Sequence, residues 1–175
     1  MAAARTRNIT INSPADVNNI GNWATVRSLT VNTGNVTINV PAGNYHSFTV
    51  NGSGSTLKFA AGTYNFADTI VLNSNSRVET NGRITVNFGG SLTLNGGKFT
   101  LGANTMVTDV ILNVLNGGVT INSNSEINGE VRVPRGVLTL NNGNALVRGN
   151  IWADNFTLNG NGQIICAICA GGSTN

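Results

Sequence analysis

The seven acidic side chains are the first residues to examine for catalytic chemistry. Glycoside hydrolysis needs two carboxylates on either side of the scissile bond, and Ca²⁺ needs several oxygen ligands around one point. Glu126 and Glu130 flank a turn at Asn128-Gly129 and could face each other, and Asp109, Glu130 and Asp154 follow at steps of 21 and 24 residues. Neither set has a base or a metal partner, so we interpret the pair as a solvated corner. No catalytic residue and no enzymatic activity are predicted.

Metal and cofactor sites are not indicated either. His46 is the only histidine, which excludes a site built on several histidines, and Cys166 and Cys169 form a C-x-x-C without the second pair that zinc needs. Residues three apart on a straight strand face opposite sides. We therefore interpret the cysteines as small buried side chains, with a redox pair or an intermolecular disulfide as alternatives. The glycine clusters follow turns, so no phosphate loop, no cofactor and no metal are predicted.

Composition and charge narrow the class of partner. The chain has 175 residues, of which only 10% are charged and 6% aromatic, with a formal net charge of +3. The basic residues are scattered, so a nucleic-acid groove is not expected. No apolar run reaches the roughly 20 residues of a membrane-spanning helix. The start lacks the apolar segment of a secretory leader, and the neutral surface favours an extracellular or cell-surface protein whose leader has been removed, with a cytoplasmic polymer as the alternative.

A repeated phrase of threonine, an aliphatic residue and asparagine organises the chain. The strings SLTVN, SFTVN, TIVLN, SLTLN and DVILN start at residues separated by 19, 22, 22 and 18 positions, and a later set at Thr120, Thr139 and Thr157 steps by 19 and 18. A period near 20 residues is typical of a β-solenoid coil. The starts of the first set are Ser28, Ser47, Thr69, Ser91 and Asp109.

Within each phrase, residues alternate between aliphatic and polar, which indicates a half-buried strand. Asn and the frequent following Gly tolerate a positive φ, so we expect the Asn to turn the chain at a corner and to stack on its copies as a ladder. Antiparallel hairpins are the alternative, since Asn-Gly favours them. Like-on-like stacking accounts for the matching phrases and a meander does not. We predict an all-β fold, a single right-handed parallel β-helix (β-solenoid) of about eight coils with a short N-terminal helix.

The N-terminal segment breaks the strand rhythm. Ser13 and Asp16 stand where capping residues of a helix would be, and Val17, Ile20 and Trp23 recur at helical spacing. A short amphipathic helix is therefore expected to cover the first coil. The predicted divisions are residues 1–27 for the strand and capping helix, 28–165 for the β-helix, and 166–175 for an apolar strand end with a flexible tail.

Four motifs resemble a known class of protein. They are PAG.Y at 41–45, AGTYNF at 61–66, G.V..P.G.LTLN at 129–141 and G.I.AD.FTLNGNG.I at 149–164. Over residues 40–165 the chain resembles β-helical domains of unknown function from bacterial secreted and cell-surface proteins. It is distantly similar to bactofilins, whose short β-helices join end to end into filaments without nucleotide, but departs from them in its candidate N-terminal helix and its Asn/Thr-rich surface. The resemblance implies a scaffold-like or adhesive role and supplies no catalytic residue.

Self-assembly is the function that the sequence favours. Stacked coils end in unpaired strand edges that another chain can continue, and the C-terminal QIICAIC lacks charge and proline. We expect a homopolymer joined end to end, with the N-terminal strand able to exchange onto a neighbouring subunit. The residues predicted to associate are Ile9, Ile11, Ile164, Ile165, Cys166 and Ile168.

The alternative is a surface-binding solenoid, which would recognise ice or a polysaccharide through outward hydroxyl groups. Ser-x-Thr pairs on successive coils are similar to the Thr-x-Thr ranks of ice-binding solenoids, with interruptions at Val71 and at Asp109/Ile111. Trp23 and Trp152 are interpreted as capping and packing residues rather than as a sugar platform. The residues of this predicted face are Ser28, Thr30, Ser47, Thr49, Thr69, Ser91 and Thr93.

Overall fold

Alternating aliphatic and polar residues give every strand an inner and an outer side, and the strands wind into coils around the inner side chains. The computed structural model describes residues 5–166. It is all-β, with parallel strands stacked as a β-solenoid of about eight turns, which confirms the predicted fold class. All pairings between the named strands are parallel, so the antiparallel alternative is wrong.

The strands are mostly short, and four longer ones bend around a corner of the coil. They are β1 (Arg7–Ile11), β2 (Val26–Val31), β3 (Thr37–Val40), β4 (Gly43–Tyr45), β5 (Ser47–Val50), β6 (Thr56–Phe66), β7 (Ile70–Asn73), β8 (Arg77–Phe88), β9 (Leu92–Asn95), β10 (Lys98–Leu101), β11 (Val110–Val114), β12 (Val119–Ile121), β13 (Glu126–Asn128), β14 (Glu130–Asn141), β15 (Leu146–Arg148), β16 (Ile151–Asn159) and β17 (Gln163–Ile165). Three 3-10 helices accompany them: η1 (Pro14–Asn19), η2 (Trp23–Thr25) and η3 (Val107–Asp109).

The pairing places these strands in three parallel stacks. The first stack runs β1, β2, β5, β7, β9, β12 and the C-terminal parts of β14 and β16. The second runs β3, β6, β8, β10, β13, β15 and β17. The third runs β4, the C-terminal parts of β6 and β8, β11, and the N-terminal parts of β14 and β16.

The core is a set of like-on-like columns between the three stacks. Tyr45, Phe66 and Phe88 follow one another in the third stack, with ring centroids 5.6 Å and 5.8 Å apart. Phe48 packs edge-on against Phe66 at 4.9 Å. Such pairs add about 0.5–1.5 kcal/mol each to the area that they bury. The aromatic residues therefore stabilise the first half of the solenoid, and aliphatic columns continue it.

The N-terminal segment closes the first coil. In place of one amphipathic helix through Val17, Ile20 and Trp23, the segment forms two short 3-10 helices, η1 and η2. In η1 the Asp16 carboxylate accepts hydrogen bonds from the backbone N–H groups of Asn12 and Ser13 at 2.9 and 2.8 Å. These bonds hold the pKa of Asp16 below its ordinary value. Ile20 is buried, and the Arg7 guanidinium donates to its carbonyl oxygen at 2.6 Å. The segment thus covers the apolar interior at this end.

The repeat alignment is correct for most phrases and wrong for one. The strings that start at Ser28, Ser47, Thr69 and Ser91 stack in the first stack as expected. DVILN, however, belongs to the third stack, where Ile111 pairs with Thr85 and Glu130. The first stack continues from Thr93 to Thr120, because this coil contains an additional turn around η3. Strands of the first and third stacks carry the same sequence phrase, so the phrase alone did not indicate that DVILN belongs to the third stack.

The asparagines of the phrase end strands but do not themselves adopt the left-handed conformation. Positive φ values occur one to three residues later, at Asn35 after Asn32 (55°) and at Asn124 after Asn122 (59°). The expectation that the repeated Asn itself has a positive φ is therefore wrong, because the positive φ belongs to a residue that follows it. The strand-ending Asn is free to keep its side chain in a ladder, and the following residues make the corner.

Candidate functional site

The last coil of the described chain exposes its interior. Phe156, Leu158 and Ile164 stand in register with Leu138, Leu140 and Val147 of the preceding coil. Those three partners are 0% exposed, whereas Phe156, Leu158 and Ile164 are 58%, 46% and 36% exposed. They have inward positions, but within residues 5–166 no further coil covers them. We call this surface, formed by Phe156, Leu158 and Ile164, the open end.

The C-terminal association residues lie beside this surface. Ile165 is 41% exposed and pairs with Arg148, on the outward side of β17. Cys166 is exposed, with its Sγ 3.7 Å from the Oδ1 of Asn150, so the interpretation of this cysteine as a buried side chain is wrong. Ile168 and Cys169 lie outside the described residues.

The N-terminal association residues point inward. Ile11 is 1% exposed and Ile9 packs against the core, both beneath the segment that closes the first coil. Their side chains are therefore not available to a partner in this conformation. What β1 does offer is its backbone edge, since among the described strands it pairs with β2 alone.

A single ladder of side-chain amides links the two ends along the first stack. Each Asn donates from Nδ2 to the Oδ1 of the Asn one coil earlier, at 2.6–3.0 Å, from Asn159 back to Asn12. The ladder has a direction because every bond runs the same way. Within the described residues its first member keeps free N–H groups on Nδ2, and its last member keeps a free Oδ1. Its members are Asn12, Asn32, Asn51, Asn73, Asn95, Asn122, Asn141 and Asn159.

A second, shorter ladder lies in the third stack. Asn65 donates to Asn44, Asn87 to Asn65 and Asn113 to Asn87, each at 2.7 Å. In this column Arg132 and then Trp152 follow Asn113. The amide ladder therefore stops where the column changes to a cation and an aromatic ring.

The predicted hydroxyl face is present and extends further than the sequence indicated. One outward column of the first stack runs Thr10, Thr30, Thr49, Val71, Thr93, Thr120, Thr139 and Thr157. Only Val71 interrupts it, because Asp109/Ile111 belong to another stack. The neighbouring column holds Ser28, Ser47, Thr69 and Ser91 and then loses its hydroxyl groups at Gly118 and Val137.

The acidic residues are separated rather than convergent. Glu126 lies in the second stack, 3.2 Å from Arg148 and 3.9 Å from Lys98, whereas Glu130 lies in the third stack and contacts Arg132. The suggestion that these two glutamates face each other is therefore wrong. Asp109 and Asp154 do not align with Glu130 either, since Glu130 is in register with Ile111. Within the described residues no group of three His, Cys, Asp or Glu could hold a metal ion.

The two tryptophans differ in their surroundings. Trp23 is half-buried, packs against the core and meets the Tyr45 ring edge-on at 6.1 Å, as a capping residue would. Trp152 is 64% exposed and lies on the outside of the third stack, in register with Arg132. The interpretation of Trp152 as a packing residue is wrong, and the alternation in GNIWADNF could have shown that Trp152 is outward while Ile151 and Ala153 are inward.

Comparison with known protein families, curated proteins and solved structures gives no match for this chain. The resemblance drawn from the sequence motifs thus stays an expectation. No helix among the described residues is long and apolar enough to cross a membrane.

Proposed function

We propose that the protein is a non-enzymatic structural subunit that assembles end to end outside the cell. The observation that carries this proposal is the open end, where three inward apolar side chains have no coil over them within residues 5–166. Full burial of each such side chain contributes about 1.5–3 kcal/mol. A second copy that continues the stack would supply that burial and would also pair the backbone edge of β16 that no other described strand occupies.

The direction of the long ladder supports a head-to-tail joint. In such a joint Asn12 of the next copy brings its free N–H groups to the free Oδ1 of Asn159, so the ladder continues across the boundary. A joint between two C-terminal ends instead brings two Oδ1 atoms together. Heterologous contacts of the head-to-tail kind generate open filaments. The closed first coil requires that β1 joins through its backbone edge rather than through Ile9 and Ile11.

The test is sedimentation velocity and negative-stain microscopy over a concentration series. Phe156→Asp places a charge on the open end, and Thr157→Asp places the same charge on the next residue, which faces outward and is also exposed. We expect the wild type and T157D to form filaments and F156D to stay monomeric with an unchanged circular dichroism spectrum. A wild type that stays monomeric at all concentrations would refute the proposal. A wild type that stops at dimers would also contradict the filament, because it would show a closed contact between two copies in place of head-to-tail growth.

Ice binding through the hydroxyl face is the second candidate, because the threonine column runs through all coils of the first stack except the one that holds Val71. Regular rows of hydroxyl and methyl groups at the spacing of stacked strands, about 4.8 Å, could match a crystal lattice. In an ice-recrystallisation assay, Val71→Thr should strengthen inhibition and Thr93→Lys should abolish it. No inhibition by the wild type or V71T would exclude this function and leave threonine as a residue that suits exposed strands.

A further inference from the structure

A groove on the outside of the third stack combines an exposed aromatic ring with fixed polar groups. It has a volume of about 420 Å³ and is lined by Asn113, Leu115, Glu130, Arg132, Pro134 and Trp152. Leu115 is 50% exposed, and with Pro134 and the indole it forms the apolar walls. Trp152 stands between this groove and the open end, since it also lines a second cavity together with Phe156 and Ile164. Phe156, Leu158 and Ile164 themselves do not line the groove.

The polar groups of this groove are held in place. Arg132 Nε donates to Glu130 Oε1 at 2.6 Å, a charge-assisted bond between residues on the same side of one strand. The guanidinium keeps further N–H donors, and the carboxylate keeps a second acceptor oxygen. Asn113 donates to Asn87 and retains free hydrogen-bonding capacity on its amide. The groove thus offers donors and acceptors without net charge.

We propose that this groove binds a neutral oligosaccharide, with one sugar ring stacked on Trp152. A pyranose has an apolar C–H face and a rim of hydroxyl groups, which matches an exposed indole beside paired donors and acceptors. An anionic ligand would have to compete with Glu130 for Arg132, so a neutral chain fits the charges better. The amides of Asn113, Asn87, Asn65 and Asn44 continue the column away from Trp152 and offer hydroxyl contacts to further sugar units.

The binding test uses the two tryptophans as matched reporters. In Trp23→Phe, Trp152 is the only tryptophan, and in Trp152→Phe only Trp23 remains, so excitation selective for tryptophan reports on one site at a time. The probes are four neutral oligosaccharides, cellohexaose, xylohexaose, mannohexaose and fully N-acetylated chitohexaose, with hexagalacturonate as the charged comparison. We expect at least one neutral probe to shift the emission of W23F and to leave that of W152F unchanged.

Ligand-observed saturation-transfer NMR then measures the contribution of each wall. Trp152→Ala should weaken binding about tenfold or more. Glu130→Gln should weaken it less, because the side chain keeps its shape and one acceptor oxygen, while the other oxygen is replaced by an NH₂ donor. Trp152 is exposed, so W152A should keep the thermal midpoint of the wild type. Thr49→Ala on the first stack is the control and should bind like the wild type.

Three outcomes would overturn the proposal. They are no emission shift with any neutral probe up to about 10 mM, binding of hexagalacturonate alone, and an emission change of W23F that follows protein concentration instead of sugar. The last would assign Trp152 to a contact between protein copies. Phe156 does not line this groove, but it lines the neighbouring cavity together with Trp152. Sugar binding is therefore measured at protein concentrations below those at which the wild type assembles, so that a failure of binding and a failure of assembly are recorded in separate experiments.

Discussion

Asn51 donates a hydrogen bond from Nδ2 to the Oδ1 of Asn32 at 3.0 Å, and the two asparagines occupy the same place on successive coils. The Oδ1 of Asn51 in turn accepts from Asn73 at 2.8 Å. This contact shows how the repeat acts: a phrase that recurs in the sequence becomes a column of interacting side chains in the fold. The column stabilises each coil against its neighbours and gives the solenoid a direction.

The ladder predicts that an internal asparagine matters more than a terminal one. Asn51→Ala removes two amide hydrogen bonds and Asn12→Ala removes one, and a typical bond contributes about 0.5–1.5 kcal/mol. We expect N51A to lower the free energy of unfolding about twice as much as N12A, measured by urea denaturation. Asn32→Ala combined with N51A should be less than additive, since the two share a bond. Full additivity would contradict an energetic role for the ladder.

Two inward aromatic residues, Phe66 in the third stack and Phe156 in the first, should respond differently to truncation. Phe66 lies between Tyr45 and Phe88 and is 2% exposed, whereas Phe156 on the open end is 58% exposed. Phe66→Ala should cost about 3–5 kcal/mol through the cavity that it leaves. Phe156→Ala should cost less than about 1 kcal/mol in the monomer, because water already covers the ring. Equal losses would show that the open end is covered in the monomer.

Alkaline pH should destabilise the fold through Tyr64. Its hydroxyl lies 2.9 Å from the carbonyl oxygens of Val40 and Ala60 and donates its proton to one of them, and burial raises the pKa of Tyr64 above the ordinary value of 10.0. Below pH 10 the tyrosine is neutral in both states. As the pH rises above 10 the unfolded chain ionises first, so stability is lost there.

Tyr64→Phe is the matched variant for this prediction. It should be less stable at neutral pH by about 1–3 kcal/mol, because a buried carbonyl loses its donor. Its stability should then fall less steeply above pH 10 than that of the wild type. Thermal denaturation between pH 8 and 11 measures both effects, and parallel curves for the two proteins would exclude Tyr64 as the titrating group.

Gly52 and Gly96 follow ladder asparagines and should resist substitution for different reasons. A Cβ at Gly52 would overlap the Thr33 carbonyl oxygen of the preceding coil, while Gly96 has room, with the nearest atom at 3.6 Å, but a φ of +80°. Gly96→Ala should cost about 1–2 kcal/mol. Gly52→Ala should cost more, since two coils must move apart. Chemical denaturation that ranks G96A as the less stable would contradict this.

The sequence predicted the coil, its period and its ladders, because alternation and like-on-like repetition are local properties of the phrase. It did not predict which stack each phrase belongs to: Asn95 and Asn113 end similar strings, yet they lie in different ladders. The extra turn around η3 lengthens the coil between Thr93 and Thr120. Only the packing of this coil against its neighbours decides at which residue the chain returns to the first stack. The candidate surfaces were partly predictable. The apolar C-terminal strand was expected to be at an end, but Phe156 and Leu158 were not recognised as exposed, since they have the pattern of core residues.

Hydrogen–deuterium exchange at increasing protein concentration tests the joint most directly. We expect peptides from Ile151–Asn159, Gln163–Ile165 and Arg7–Ile11 to gain protection as copies assemble, while peptides from Ile70–Asn73 stay unchanged. In F156D the terminal peptides should exchange rapidly at every concentration. Exchange of the terminal strands that is the same at all concentrations in the wild type would contradict the claim that another copy of the chain continues the stack.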